Sequence, residues 1–417
     1  MDQNIINKCG RYILAPILLK FTIWLMDEAQ KIGVSTLYFM ARDGYVLYHV
    51  AKSVCRQFGL KIECKYLCCS RKSLNLPVYQ FDSDYAYEHI FTANTYCTFM
   101  SILRRAGVTD AQLELILQDV RFDRQELNRR LQIAEIESLK ETVKNSTVFN
   151  DVLMQNSREA YKTTLGYLKQ EGLLDQKTVA VVDSGWSGSS QRALQKLLRR
   201  SGYGGSVQGY YFGMYTDYPE EKFRAKAWYF SQRENLWNKV FFSPSLLECM
   251  LSAPDGMTIG YQYINGMYVP VKKHNLPEKH RIAKETQLNA ILEACESYTD
   301  KHINSVKAKL RFWRFMVFPT EQEVQSYGMF QFSDDIAGEN NVPLCCSADA
   351  VQVKDYTFLK IVRNRLKHKK SNTRNPYWIY GAISLIPERW KKNWLRINAI
   401  GLEGYRWLRM KSISYKE

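Results

Sequence analysis

Three short segments carry side chains suited to phosphate and sugar chemistry, and each follows an apolar run. In KTVAVVD the run ends at Asp183, and the next seven residues are Ser184, Gly185, Trp186, Ser187, Gly188, Ser189 and Ser190. Small residues let a ligand approach the backbone, exposed N–H groups at a helix start bind anions, and serine hydroxyls add donors. The second segment is ARDG, Ala41 to Gly44, which follows VSTLYFM. Arg42 presents a planar fork of donors that suits phosphate, Asp43 can act through a metal, and Gly44 permits close approach. The third is Ser70, Arg71 and Lys72 after KIECKYLCC, which adds two positive charges. Taken singly, each is also what a capped or ion-paired turn looks like. Taken together they imply a ligand with more than one phosphate.

The three segments meet only if their strands lie parallel, and the flanking pattern predicts that. An apolar helix (Tyr12 to Met26), a strand (Val34 to Met40), a second helix after ARDG and a strand in KIECKYLCCS make one βαβ unit. KTVAVVD, the helix RALQKLLRRSG and VQGYYFGMY make another. The expected fold is therefore α/β, an open, mainly parallel sheet, where ligands bind beyond the carboxyl ends of the strands. Residues 84–172 are helical in period and charged, and read as an insertion. KAWYFSQ is a further strand candidate, and Asn265-Gly266 in YQYINGMYVPV signals a hairpin. The expected organisation is an α/β domain over 1–265, a hairpin and helical region over 266–353, and a basic, Trp-rich tail over 354–417.

These residues resemble type I phosphoribosyltransferases, in which a strand leads into a short pyrophosphate loop and a later strand ends in two acids and a T-G-G-T-like cradle. LYFMARDG and VAVVDSGWSGSS occupy those places, with Asp183 at the first acidic position; Ser184 stands where a second acid is usual, and the loop is about one residue shorter. More specifically, LYFMARDG, YLCCSRKSL, VVDSGWSGSSQ, GYYFG and PSLLECMLSAPDG are similar to bacterial polysaccharide-biosynthesis proteins, over about residues 10–260. That domain is often fused to a haloacid-dehalogenase-like phosphatase.

The resemblance implies a pentosyltransferase that moves phosphoribose from phosphoribosyl pyrophosphate (PRPP) to a lipid-linked glycan in lipopolysaccharide or capsule synthesis. A separate phosphatase would then act on the product. It assigns Arg42, Arg71 and Lys72 to pyrophosphate, Ser187, Gly188, Ser189 and Ser190 to the 5-phosphate, and Asp183 to the ribose hydroxyls or, indirectly, to Mg²⁺. Ser70, Ser184, Gly185 and Gly44 complete the substrate contacts, with Asp43 beside Arg42. Glu248, in PSLLECML, is a candidate base for the acceptor hydroxyl, although a carboxylate on a helix face is the commoner role. Two other readings stay open. A nucleotide-sugar glycosyltransferase would use Asp82 and Asp84 as a metal motif, although Pro77 just before them argues against a central strand and favours a helix cap. A non-catalytic accessory protein of polysaccharide assembly would explain Ser184.

Apolar residues at 46% exclude a mostly disordered chain, and ten cysteines without a C-x-x-C pair suggest reduced thiols rather than a zinc site. The net charge of +16 is concentrated: residues 354–417 hold 16 Lys or Arg against 4 Asp or Glu, leaving +4 for the rest. Basic runs interleaved with Trp378, Trp390, Trp394 and Trp407 suit an anionic membrane surface better than nucleic acid, for which no motif is present. The expected location is cytoplasmic, peripheral at the inner face of the membrane. The run from Tyr12 to Met26 is too short to cross one and contains Lys20, so a buried amphipathic helix is expected.

Overall fold

The computed structural model describes the chain apart from residues 94–96, 217–222, 274–275, 299–302, 337–340, 348–356, 358–375 and 415–417. Its centre is a five-stranded parallel sheet in the order β2-β1-β3-β4-β5, an open α/β fold. The strands are β1 (Thr36–Met40), β2 (Glu63–Leu67), β3 (Thr178–Trp186), β4 (Ser206–Met214) and β5 (Arg224–Phe230). All five residues of β1 are buried. That explains why this strand reads as an unbroken apolar run, since a sheet covered on both faces has no polar side. The alternation reappears in what each side chain touches: Leu37, Phe39, Ala180 and Val182 join one core, whereas Tyr38, Met40, Val179 and Val181 join the other.

Strand order decides where a ligand can sit. The chain leaves β1 for β2 on one side and returns to β3 on the other, with Leu37 opposite both Cys64 and Ala180. The turns after β1 and β3 therefore diverge, which opens a crevice at their carboxyl ends.

The larger core unites distant parts of the chain. A helix from Gln3 to Lys31, with a π-helical turn at Gly10–Leu14, lies against the sheet. It is longer than its most apolar run suggests. At 29 residues it is long and apolar enough to cross a membrane, yet 72% of its most apolar window is buried inside the protein. Ile291, Phe312, Phe315, Trp378 and Leu395 close the same core. The expected boundary at 265/266 falls in the hairpin turn between β6 (Met257–Ile264) and β7 (Met267–Lys273), where Asn265 and Gly266 have φ of 50° and 83°. Residues beyond it complete the core begun by the first helix.

The helices between Ser83 and Gln170 build their own cluster from Tyr87, Phe99, Ile102, Ile116 and Phe149. Of the four tail tryptophans, Trp378 is a core residue, fully buried, with its Nε1 donating to the Met316 carbonyl at 2.9 Å. The basic run KIVRNRLKHKK lies outside the described residues.

Candidate active site

A pocket of about 530 Å³ opens at the β1/β3 switch point. Ala41, Arg42 and Asp43 enter it after β1, Ser70 and Arg71 after β2, and Asp183 to Ser190 from the end of β3. Parallel strands thus bring together residues separated by more than a hundred positions. The Ala41–Arg42 peptide is cis, and the Arg42 carbonyl accepts from the Ala253 N–H at 3.1 Å.

The third segment is not all loop. β3 runs on to Trp186, and only Ser187 and Gly188 separate it from the helix Ser189–Arg200. Gly185 has φ of 119°, and a Cβ there would lie 2.0 Å from the Gly213 carbonyl oxygen on β4, so only glycine fits. Gly188 caps the helix with φ of 63°, and a Cβ would meet Phe223 at 2.7 Å. Among the described residues no side chain caps this helix, and Gly188, Ser189 and Ser190 line the pocket, so ligand oxygens would find its first-turn N–H groups there.

The floor holds three carboxyl groups. Ser184 Oγ donates to Asp43 Oδ2 at 3.2 Å, and the Ser184 N–H donates to Asp183 Oδ1 at 2.8 Å. Ser184 is itself 1% exposed, so the residue standing where a second acid is usual serves as a bridge between the acid in the turn after β1 and the acid on β3. Glu248 accepts a hydrogen bond from Trp186 Nε1. Burial, then the neighbouring Asp43 charge, pushes Asp183 well above the usual carboxylate range and Glu248 up to about 8. Burial raises Asp43 as well, opposed by Arg42 and the Ser184 hydroxyl.

Glu248 therefore belongs to the pocket and is not a solvated helix-face carboxylate. Its helix, Pro244–Leu251, is anchored by Lys284, which donates to the carbonyls of Cys249 and Ser252 at 2.6 and 3.0 Å and to Ser252 Oγ at 2.8 Å. Burial lowers the Lys284 pKa to about 8.

Two expected contacts are absent from the lining. Ser70 and Ser73 form a capping box at 2.9 and 3.0 Å that starts the helix Arg71–Asn75 at once, and Lys72, one residue round that helix, falls outside the pocket. Gly44 also lies outside it. A Cβ there would sit 2.9 Å from the Phe39 backbone, so the glycine serves the packing of the helix Gly44–Phe58 on β1. Asp82 caps the helix Ser83–Ile90 by accepting from Tyr85 N–H at 3.0 Å, as expected of a cap.

Of the far wall, only Asp255, within PSLLECMLSAPDG, falls in a segment singled out from the sequence. Asp255, Lys273 and residues 331–336 line it. Arg105, from the helical insertion, holds that wall by donating twice to Asp335 Oδ1, at 3.0 and 2.8 Å, and to the carbonyls of Ile90 and Thr92. Both members of the pair are 1% exposed. Only the Asp334-Asp335 dipeptide hints at this in the sequence.

The lining sets Asp43, Asp183 and Glu248, which burial holds toward the protonated form, beside the cations Arg42, Arg71 and Lys273. Among the described residues, no group of three or more His, Cys, Asp or Glu side chains could by itself hold a metal ion. Mg²⁺, however, is commonly held by one or two carboxylates with substrate oxygens completing its shell. Asp43 and Asp183, joined through Ser184, supply two such carboxyl groups.

Fold and site together define an open α/β protein with a polar, carboxylate-floored crevice at its switch point. No family model matches the chain, and no curated protein matches it at a significant level.

Proposed function

We propose that this protein is a PRPP-dependent transferase that delivers a ribofuranosyl 5-phosphate unit to a hydroxyl of a lipid-linked glycan. One observation carries the reading: the ARDG, SR and DSGWSGSS segments line a single pocket at the sheet's switch point, over a floor of suppressed carboxyl groups. Arg42 and Arg71 neutralise pyrophosphate, and Ser187 with the first-turn N–H groups of Gly188 to Ser190 holds the 5-phosphate. Asp183 faces the ribose hydroxyls. Mg²⁺ held by Asp183 and Asp43 would supply positive charge to the departing pyrophosphate.

The ribose C1–O bond to pyrophosphate breaks, and the leaving group keeps the electron pair. A new bond forms from C1 to the acceptor oxygen, and its proton passes to the Glu248 carboxylate. Glu248 with a pKa of about 8 is a stronger base than an ordinary carboxylate once ionised. The product retains its 5-phosphate, which a separate phosphatase would remove. Asp82 and Asp84, on which the nucleotide-sugar reading rests, lie outside the pocket lining.

Calorimetric titration with PRPP and Mg²⁺ tests the proposal. A saturable heat is expected for the wild type and for Asp82→Ala, but not for Arg42→Ala or Gly188→Val. No heat from folded wild-type protein would overturn it.

A further inference from the structure

The C-terminal helix, Arg389–Ser414, has two apolar faces. Leu395, Ala399 and Leu402, each 1% exposed, form the inner one. Trp390, Trp394, Ile397, Tyr405 and Leu408 form the other and are 70%, 48%, 69%, 44% and 61% exposed. At about 100° per residue these five fall within roughly 80° of one another, and their centre lies roughly 125° round from the buried row. Closing a core requires one apolar stripe, not two. Tryptophan is also costly to leave in water without a purpose, because its ring carries so much apolar area.

Charge identifies what covers the outer stripe. The helix carries seven Lys or Arg and one Glu, with Lys391 and Arg409 on one flank of the stripe and Arg389 on the other. A second copy of the chain would bring the same positive charge to the contact. Nucleic acid would meet the cations but leave the aromatic and aliphatic stripe wet. An anionic bilayer satisfies both, taking the indoles at its headgroup boundary and the cations on its phosphates.

We propose that the outer face of this helix is a docking surface for anionic lipid bilayers. A cavity of about 610 Å³ lies beneath the same helix, with Arg406 and Arg409 on one side and Lys239 and Tyr215 on the other. The Tyr215 ring is 6.1 Å from that of Trp186, which lines the candidate active site. Docking would place the helix and this cavity between the membrane and the pocket, a consequence that bears on the transferase reading, although the docking itself does not rest on it.

Vesicle co-sedimentation decides the matter. The wild type should bind vesicles of phosphatidylcholine with phosphatidylglycerol, bind phosphatidylcholine alone far more weakly, and be released by salt. The triple variant Trp390→Ser, Trp394→Ser, Ile397→Ser, all at exposed positions, should lose at least about tenfold in partitioning, roughly 1.4 kcal/mol. Its thermal unfolding should be unchanged. Equal binding by the variant, no preference for anionic vesicles, or a concentration-dependent dimer that the triple variant abolishes would overturn the proposal. PRPP titration is a separate readout, so neither failure can be mistaken for the other.

Discussion

Replacing Glu248 with Gln isolates the charge state of the pocket floor. Burial, with Asp43 second, raises this carboxyl from 4.5 to about 8, so it is largely protonated at neutral pH. In the unfolded chain it titrates near 4.3. Between these values the folded state holds a proton that the unfolded state has lost. Stability must therefore fall as pH rises from about 4.5 to about 8, and the loss is complete above that. At about 1.36 kcal/mol per pH unit the ceiling is about 5 kcal/mol, and because Glu248 lines the pocket and keeps some exposed area the effect should be roughly 2–5 kcal/mol. Glutamine cannot ionise, yet keeps an oxygen for Trp186 Nε1. Urea unfolding at a series of pH values should show the variant equal to wild type near pH 4 and more stable by that amount near pH 9. Parallel stability curves for the two proteins would refute the assignment. If Glu248 is also the base, the stabilised variant should fail in transfer, an instance of stability gained by relieving a functional site.

Three further substitutions probe the scaffold. Gly185→Ala places a Cβ against the Gly213 carbonyl at a left-handed φ and should cost at least about 3 kcal/mol, read as a lowered urea midpoint. Arg105→Met leaves the Asp335 carboxylate buried without its partner and should destabilise by about 3–5 kcal/mol, part of which the double variant with Asp335→Leu recovers. Lys284→Met strips the Cys249 and Ser252 oxygens of their donor; a loss of about 2–4 kcal/mol by thermal unfolding is expected, with weakened PRPP heat because Glu248 and the Arg42 carbonyl are positioned by the same segment.

Much of the scaffold is written locally. The apolar runs at Thr36–Met40 and Thr178–Val182 declare strands buried on both faces, and Asn265-Gly266 declares its hairpin. The Ser70–Ser73 capping box goes unread, and Ser70, Arg71 and Lys72 read together as a strand end. Starting a helix at Arg71 turns Lys72 out of the pocket, and that depends on where the helix points relative to β1 and β3. Gly44 misled for a similar reason, since a glycine that lets a helix approach a strand looks the same in sequence as one that lets a ligand approach a loop.

By itself, then, the sequence determined a parallel α/β sheet and the loops at its strand ends, because hydrophobic period and turn chemistry act over a few residues. Tertiary structure decided which of those loops share a pocket and what else joins them. Strand order brought Asp43 within reach of Ser184, 141 residues away. Packing of the helix Pro244–Leu251 under Trp186 turned Glu248 from a helix-face carboxylate into a buried acid, and Arg105 carried the helical insertion to the pocket's far wall. The outer stripe of the last helix became visible only once its inner face was buried. A hydrophobic pattern says which residues avoid water, but only the packed fold shows which of them still face it.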